Sequence, residues 1–416
     1  MKPGTIYVIG AGISGLSAAV SLAARGAHVE VIEAAPHAGG RCRSYYDPQL
    51  RQTIDNGNHL ILSGNNSVNA FLRIIGAQHR FIEPRQTEFA FAEPAAGKHW
   101  TIRPNNGPIP WWILDRNRRV PGTRARDYFS FAAAMCGRRS AASQPYNGML
   151  GRRLIRPLLL AALNTEPVGA SSPLITAILR ETLAKGGKAW RPRIASPTLA
   201  AAFIDPAVEF IRQNGGSVRF GERLQQFAYD GNRVRGLELS GRTLQLAEKD
   251  RVILAVPPWA ATSLVPGISA PDEFRAIVSI HFGIAPPAGV PAITGVIGRT
   301  TEWIFAFPGR MSVTISNADR LLDRDREEIA SLCWRDIAAV FSLPAELPPW
   351  QVVKERRATF AAIPEQESKR PGARTRWDNL FLAGDWTDTG LPAAIEGAVR
   401  SGMKGADLAF SSERVK

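Results

Sequence analysis

Gly10, Gly12 and Gly15 stand in a Gly-x-Gly-x-x-Gly spacing with Ser14 inside it, and Glu33 follows 18 residues beyond Gly15. Glycines so spaced do three jobs where an anion meets backbone. The first permits a tight turn, the second lets a pyrophosphate reach the amides of a helix N-terminus, and the third lets helix and strand pack closely. A carboxylate at the distance of Glu33 accepts from ribose hydroxyls and disfavours a 2′-phosphate. These residues fit an adenine dinucleotide. By themselves they do not separate a nicotinamide from a flavin.

Such chemistry needs a βαβ unit to hold it. Thr5–Ile9 is short, β-branched and bounded by glycine, which predicts a buried parallel strand. A helical pattern runs from Leu16 through Arg25, and His28–Glu33 reads as the second strand. Directly after it, Gly39-Gly40-Arg41 offers a turn that only glycine tolerates and a bidentate phosphate partner. In the middle of the chain, Ser217–Phe220 and Leu224–Tyr229, with a turn at Asp230-Gly231-Asn232, read as paired strands; Arg233–Leu239 and Arg251–Val256 follow. Near the C-terminus a buried strand runs from Asn379 into Gly384 and Asp385. A loop from Trp386 to Pro392 then leads to a helix predicted over Ala393–Phe410. The N-terminus of that helix can stabilise negative charge through its dipole.

The remaining features bound the setting. The chain has 416 residues, of which 45% are apolar and 21% charged, so disorder is excluded and two to three domains are expected. With 51 Lys and Arg against 37 Asp and Glu, the net charge of +14 calls for an anionic partner, either nucleic acid or an anionic membrane surface. Cys42, Cys136 and Cys333 lie far apart without CxxC spacing, which argues against a disulfide framework or a metal site and fits buried thiols in a reducing cytosol. The apolar run Thr5–Ala24 is broken by its glycines and reads as no signal peptide, and no apolar run is long enough to span a bilayer. Membrane contact would be peripheral. Pro110–Pro121 interleaves tryptophans with arginines, and Arg124, Arg126, Arg138 and Arg139 surround the apolar stretch Tyr128–Cys136; a second apolar run covers Leu154–Leu163. That pattern suits a membrane interface, a single-stranded nucleic-acid channel, or core aromatics flanked by solvated arginines.

The stretch Gly10–Glu33, with Leu16, Ala19, Leu22 and Gly26 in place, together with Gly39-Gly40-Arg41, resembles the glutathione-reductase-type FAD proteins. Within them it is most similar to the amine oxidase and phytoene desaturase group. Across nearly the full length the chain resembles the hydroxysqualene dehydroxylases, squalene-associated FAD-dependent desaturases of bacterial hopanoid pathways. The segments that carry this are Asp55-Asn-Gly-Asn-His59 through Asn65, Arg119–Thr123, Pro157–Thr165 and His281-Phe-Gly283. Glu302-Trp-Ile-Phe305, Val353–Thr359, Gly384–Pro392 and Ile395-Glu-Gly397 continue it. Ala394 departs from the pattern, where threonine is expected, and puts in doubt any role for that hydroxyl.

The resemblance implies an α/β fold: a discontinuous glutathione-reductase-type FAD-binding Rossmann domain (residues 1–85, 205–265 and 375–416) with an α+β substrate domain (86–204 and 266–374). In the second insertion the predicted strands are Ser279–Ile284, Ile293–Gly298, Glu302–Phe307, Met311–Ser316 and Val352–Phe360, with a helix from about Asp325 to Phe341. The cofactor would be FAD. It would lie against Gly10, Gly12, Ser14, Gly15, Glu33, Gly40, Arg41, Gly57 and Asn58, with the Leu224 amide at the adenine. Gly384 and Asp385 would meet the ribityl and phosphate side, and Leu391, Ala393 and Ile395 the flavin at the helix head. The implied reaction is reductive removal of the hydroxyl of hydroxysqualene, giving squalene. Hydroxide leaves poorly unless protonated, so an acid is needed. The candidates are Asp388 first, His59 second, then Asp55 and Glu396. The same fold run in the oxidising direction would be a carotenoid desaturase; without flavin it would be an isoprenoid-binding protein, as in the Rab GDP-dissociation inhibitors. A bilayer-borne C30 substrate turns the +14 charge into a membrane address at the inner face of the cytoplasmic membrane, with no nucleic-acid partner. Oligomeric state is not legible.

Overall fold

A computed structural model describes residues 4–136 and 148–411. Arg138 and Arg139, read above among the arginines around the stretch Tyr128–Cys136, lie outside them. A first sheet holds five strands, all parallel, in the order Ser217–Phe220, His28–Glu33, Thr5–Ile9, Arg251–Leu254, Leu380–Leu382. Its strands are drawn from three separated stretches of chain. They read as near-continuous apolar runs because both faces are covered. Val8, Val31, Ile253 and Phe381 point to one side, where the helix Ile13–Ala23 packs against the helices Asp205–Gln213 and Ile395–Ser411. Ile9, Ile32, Val252 and Leu254 point to the other, against the antiparallel meander Leu224–Asp230, Arg233–Leu239 and Thr243–Gln245.

Two expectations are corrected here. Ser217–Phe220 does not pair with the strand opening at Leu224; it lies parallel to His28–Glu33, with Val218 opposite Val31. It emerges from the helix Asp205–Gln213 as the second arm of a crossover, and Gly221, at φ +75°, turns the chain away before Leu224. The first helix begins at Ile13 rather than Leu16, since its opening turn is the glycine motif itself, where no apolar period exists to read.

The second layer is a seven-stranded sheet in the order Trp350–Phe360, Phe274–Phe282, Arg310–Ile315, Trp303–Phe307, Ile293–Val296, Phe89–Glu93, Lys98–Ile102. Five of the seven fall where the sequence predicts strands in residues 266–374. The other two come from the first insertion, so both insertions build one sheet. One face buries Val278, Ile280, Ile304 and Val313 beneath the helix Arg326–Phe341. That helix starts at Asp325, whose carboxylate accepts from the amides of Glu327 and Glu328. Cys42 and Cys333 are buried free thiols, each pushed up to about 12 by burial. Among the described residues no helix is long and apolar enough to cross a membrane.

Candidate cofactor and active site

At the end of the first strand Gly10 takes φ +106°, and a Cβ there would meet the Ala255 carbonyl oxygen at 2.5 Å. A Cβ on Gly15 would come within 1.9 Å of the Gly10 carbonyl oxygen. Gly12 differs: a Cβ there would meet nothing within 4 Å. The space above it lies at the N-terminus of the helix Ile13–Ala23, which no side chain caps. Inside that first turn the Ser14 hydroxyl is buried without a hydrogen-bond partner. An open cradle over a glycine, uncapped amides and an orphaned hydroxyl are what a pyrophosphate would complete. The second glycine turn closes over the first. The Gly39 amide donates to the Ala11 carbonyl at 2.8 Å, and a Cβ on Gly40 would sit 3.4 Å from Gly12 Cα.

Glu33 braces this turn. Its carboxylate accepts from the Ala11 amide at 2.7 Å and the Ala35 amide at 2.8 Å. A carboxylate has about four acceptor positions, so capacity for a ribose remains. The Gly221 and Glu222 amides donate to Ala35 and Glu33 carbonyls, which carries buried Leu224 to the same end of the sheet.

At the other end of the cradle, Arg41 Nη2 donates to Asp385 Oδ1 at 2.7 Å and Nη1 donates to the Ala358 carbonyl. Asp385 is buried, while the Arg41 side chain keeps 42% of its exposure, so its guanidinium is braced yet open. The Gly384 amide donates to Ser401 Oγ at 3.0 Å, and Ser401 in turn bonds Thr387 Oγ1 at 2.8 Å. Sequence reasoning missed Arg370, which holds the loop from within. Buried, it donates to the carbonyls of Asp385 and Thr387 and to Thr389 Oγ1, pairs with Glu367, and lies over the Phe360 ring. Its one visible signal was an arginine in a Lys-Arg-Pro-Gly turn, which reads as solvated. Leu391 and Ile395 are buried and Ala393 half-buried at the head of the last helix; Ala394 is exposed.

Between the two layers runs the strip Asp55–His59. His281, fully buried, bridges Ser312 Oγ at 2.6 Å and the Asp55 carbonyl at 3.0 Å, and burial beside Arg310 drives its imidazole down to about 3. Asn58 Nδ2 donates to the Val313 carbonyl and to Thr314 Oγ1. Its Oδ1 is buried without a partner, as is the hydroxyl of Ser279, which sits opposite Thr314 and faces Gly57. Arg310, also missed, is buried over the Phe307 ring, gives Nη1 to the Thr53 carbonyl, and lies 3.9 Å from Asp55.

The four acid candidates fare differently. Asp55 Oδ1 accepts from Ser44 Oγ at 2.6 Å and the Leu199 amide at 2.9 Å; burial raises its pKa against these bonds. Glu396 accepts from the Ser67 and Val68 amides, both at 3.0 Å, and so caps the helix Asn66–Ile74. His59 is half-buried; burial first, then Arg41, lowers its imidazole to about 4. Asp388 is exposed, and its amide donates to the Pro371 carbonyl at 2.8 Å. Only His59 and Asp388 have side chains not committed to holding backbone.

The parallel sheet, the two stacked glycine turns and the Arg41–Asp385 brace define an FAD-dependent oxidoreductase. The family model of flavin containing amine oxidoreductases matches residues 13–409. The chain is 49% identical to a hydroxysqualene dehydroxylase of Rhodopseudomonas palustris over 414 residues, 99% of each chain. It is 48% identical to that of Sinorhizobium fredii over 98% of this chain and 99% of the other. An oxidoreductase from Methanosarcina mazei shares the fold at a TM-score of 0.70 and 17% identity, over 96% of this chain and 99% of that one. The chain belongs to the hydroxysqualene dehydroxylase family of flavin-containing amine oxidoreductases.

Proposed function

We infer that this chain converts hydroxysqualene to squalene and water. The observation that carries the reading is near-full-length kinship with the hydroxysqualene dehydroxylases, in a chain whose dinucleotide cradle is intact. In the reaction the allylic C–O bond breaks, the hydroxyl takes a proton and leaves as water, and the carbon takes a hydride. Reduced FAD supplies that hydride when bound. The residues proposed to hold the cofactor are Gly10, Gly12, Ser14, Gly15 and Glu33 on the adenine side with Leu224, then Gly40, Arg41, Gly384 and Asp385 along the phosphates and ribityl chain. Gly57, Asn58, Leu391, Ala393 and Ile395 would meet the ring. For the proton, Asp388 is proposed first and His59 second, since neither side chain is tied up structurally. His59, neutral well above pH 4, could also pass a proton by hydrogen bond. Asp55 and Glu396 have the weaker case, because their oxygens hold the fold.

Squalene made this way would serve hopanoid and squalene biosynthesis, and a C30 substrate places the work at the cytoplasmic face of an anionic membrane. The segment 109–129 supports this. Trp112 packs edge-on against Tyr128 at 5.4 Å, while their neighbours Trp111 and Phe129 are 62% and 59% exposed beside Arg116, Arg124 and Arg126. The deciding experiment is anaerobic incubation of the dithionite-reduced protein with hydroxysqualene. Squalene should appear with flavin reoxidation; no squalene, or new conjugation when the oxidised protein meets phytoene, would sink the reading in favour of a desaturase. For the membrane, flotation with phosphatidylglycerol liposomes should exceed that with neutral ones, and equal flotation would remove the membrane address alone.

A further inference from the structure

A cleft of about 550 Å3 opens between the turn and helix spanning residues 151–163, the hairpin that joins Ile293–Val296 to Trp303–Phe307, and the segment after Ile315. None of the residues assigned to the FAD cradle lines it. Four arginines do: Arg152, Arg156, Arg299 and Arg320. Arg156 is held by Glu166 through two bonds, Nη2 to Oε1 at 2.6 Å and Nε to Oε2 at 3.1 Å. Arg299 faces Asp336 at 3.8 Å. Arg320 gives one N–H to the Asn317 carbonyl at 2.8 Å, and neither it nor Arg152 has a carboxylate partner among the described residues. One guanidinium fork is thus fixed by two bonds, Arg299 lies near a carboxylate without bonding it, and Arg152 and Arg320 have no ion pair within 4 Å among the described residues. The same lining carries apolar residues, among them Leu160 and Trp303, both buried, and three acids, Glu166, Glu302 and Asp319. Of these, Glu302 accepts from the Ser316 amide at 2.8 Å. Burial pushes it up to about 7, which lessens its negative charge near neutral pH and its opposition to an anion.

Guanidinium groups gathered around one cleft can read phosphate oxygens bidentately, and the apolar residues that share its lining suit hydrocarbon. We propose that this cleft is a second ligand site, distinct from the cofactor cradle, which binds a phosphate or diphosphate ester carrying a hydrocarbon chain. It rests on the isoprenoid reading above only in the choice of chain. Hydroxysqualene and farnesyl diphosphate are both built from allylic isoprenoid units, which makes the latter the probe.

The test titrates the full-length, flavin-loaded protein calorimetrically with farnesyl diphosphate, inorganic pyrophosphate and farnesol, and in parallel measures co-sedimentation with phosphatidylglycerol vesicles. Farnesyl diphosphate should bind at one site, at least tenfold tighter than either pyrophosphate or farnesol. The double variant Arg152→Ala/Arg320→Ala should weaken that binding at least tenfold with the flavin spectrum unchanged, and Arg152→Lys/Arg320→Lys should recover part of it. A lipid headgroup as the source would show instead as vesicle binding that the double alanine variant reduces, without farnesyl diphosphate affinity. No binding by either arm, or binding indifferent to the double variant, overturns the site. The dehydroxylation assay is independent: squalene formation without ester binding sinks only this proposal, and ester binding without squalene formation sinks only the functional one.

Discussion

Arg41 Nη2 lies 2.7 Å from Asp385 Oδ1 and joins two turns that are 344 residues apart in the chain. One turn follows the second strand of the sheet and the other ends the last, so a single ion pair spans the cradle from one side to the other. Asp385 is nearly closed to water while the Arg41 side chain stays 42% exposed. The carboxylate therefore fixes the guanidinium's position rather than neutralising it in solvent. A cation so placed is ready for an anion.

Arg41→Ala should lose that anion contact without unfolding the chain. One charge-assisted hydrogen bond is worth roughly 1.5–3 kcal/mol, so FAD affinity should fall by about 10- to 100-fold. Asp385→Asn should give a smaller loss, because Arg41 retains its bond to the Ala358 carbonyl. Flavin titration of the stripped proteins by fluorescence reads both. Unchanged affinity in Arg41→Ala would remove this residue from the phosphate site.

Two glycines of one motif should fail in opposite ways. Gly15→Ala puts a methyl 1.9 Å from the Gly10 carbonyl oxygen, a clash of backbone on backbone, and should lower Tm sharply even in flavin-free protein. Gly12→Ala meets nothing in the protein. It should leave the flavin-free Tm nearly unchanged and abolish flavin content, because its methyl occupies the approach of the pyrophosphate. Thermal melts of both, stripped and reconstituted, separate the cases. A Gly12→Ala protein that purifies yellow would show that the phosphates pass elsewhere.

What the sequence disclosed follows from what leaves a local trace. The strands Thr5–Ile9 and His28–Glu33, with the glycines between them, are legible because a turn, a helix start and a buried strand each demand residue types at fixed spacing. Five strands of the second sheet were legible as runs rich in β-branched and aromatic residues, with Pro308-Gly309 turning between two of them. Ser217–Phe220 was misplaced because a four-residue strand looks alike whether it pairs with a hairpin neighbour or with a strand nearly 200 residues earlier. Arg370, Arg310 and His281 were unreadable as site organisers for a related reason: their partners, at Thr387, Thr53 and Asp55, are brought to them only by tertiary structure. The acid candidates show the limit from the other side. Asp55, Glu396, His59 and Asp388 were grouped by motif, but burial and backbone hydrogen bonds divide them, and neither is written in the motif.

Glu396 illustrates that division. With both oxygens on the amides of Ser67 and Val68, it supplies from another helix the cap that Asn65 does not give. Losing a cap costs about 1–2 kcal/mol. Glu396→Ala should lower Tm by about 1–2 °C, while turnover per bound flavin stays within about twofold of the parent; Glu396→Gln, which keeps one acceptor oxygen, should lose less. If Glu396→Gln instead kept its Tm and lost turnover by orders of magnitude, the residue would belong to the chemistry.

Glu302 links stability to pH. Its carboxyl has an ordinary value of 4.5 and in the folded protein is pushed up to about 7, by burial against the opposing pull of Ser316, Arg320 and Arg156. Between those values the unfolded chain releases a proton that the folded chain keeps. Stability is therefore lost as pH rises from 4.5 through 7, and the loss is complete above 7. Glutamine keeps the Ser316 bond and carries no charge at any pH. Glu302→Gln should thus be more stable than the parent at pH 8, by about 1–2 kcal/mol once screening by cleft water is allowed for, and the advantage should shrink steadily toward pH 5. The other charges lining the cleft, Arg152, Arg299, Glu166 and Asp319, are common to both proteins and cancel in the difference. Denaturant unfolding of the pair at pH 5, 6, 7 and 8 measures it. A difference that stays constant across that range would mean Glu302 does not titrate there, and its softening of the cleft's negative charge would have to be abandoned.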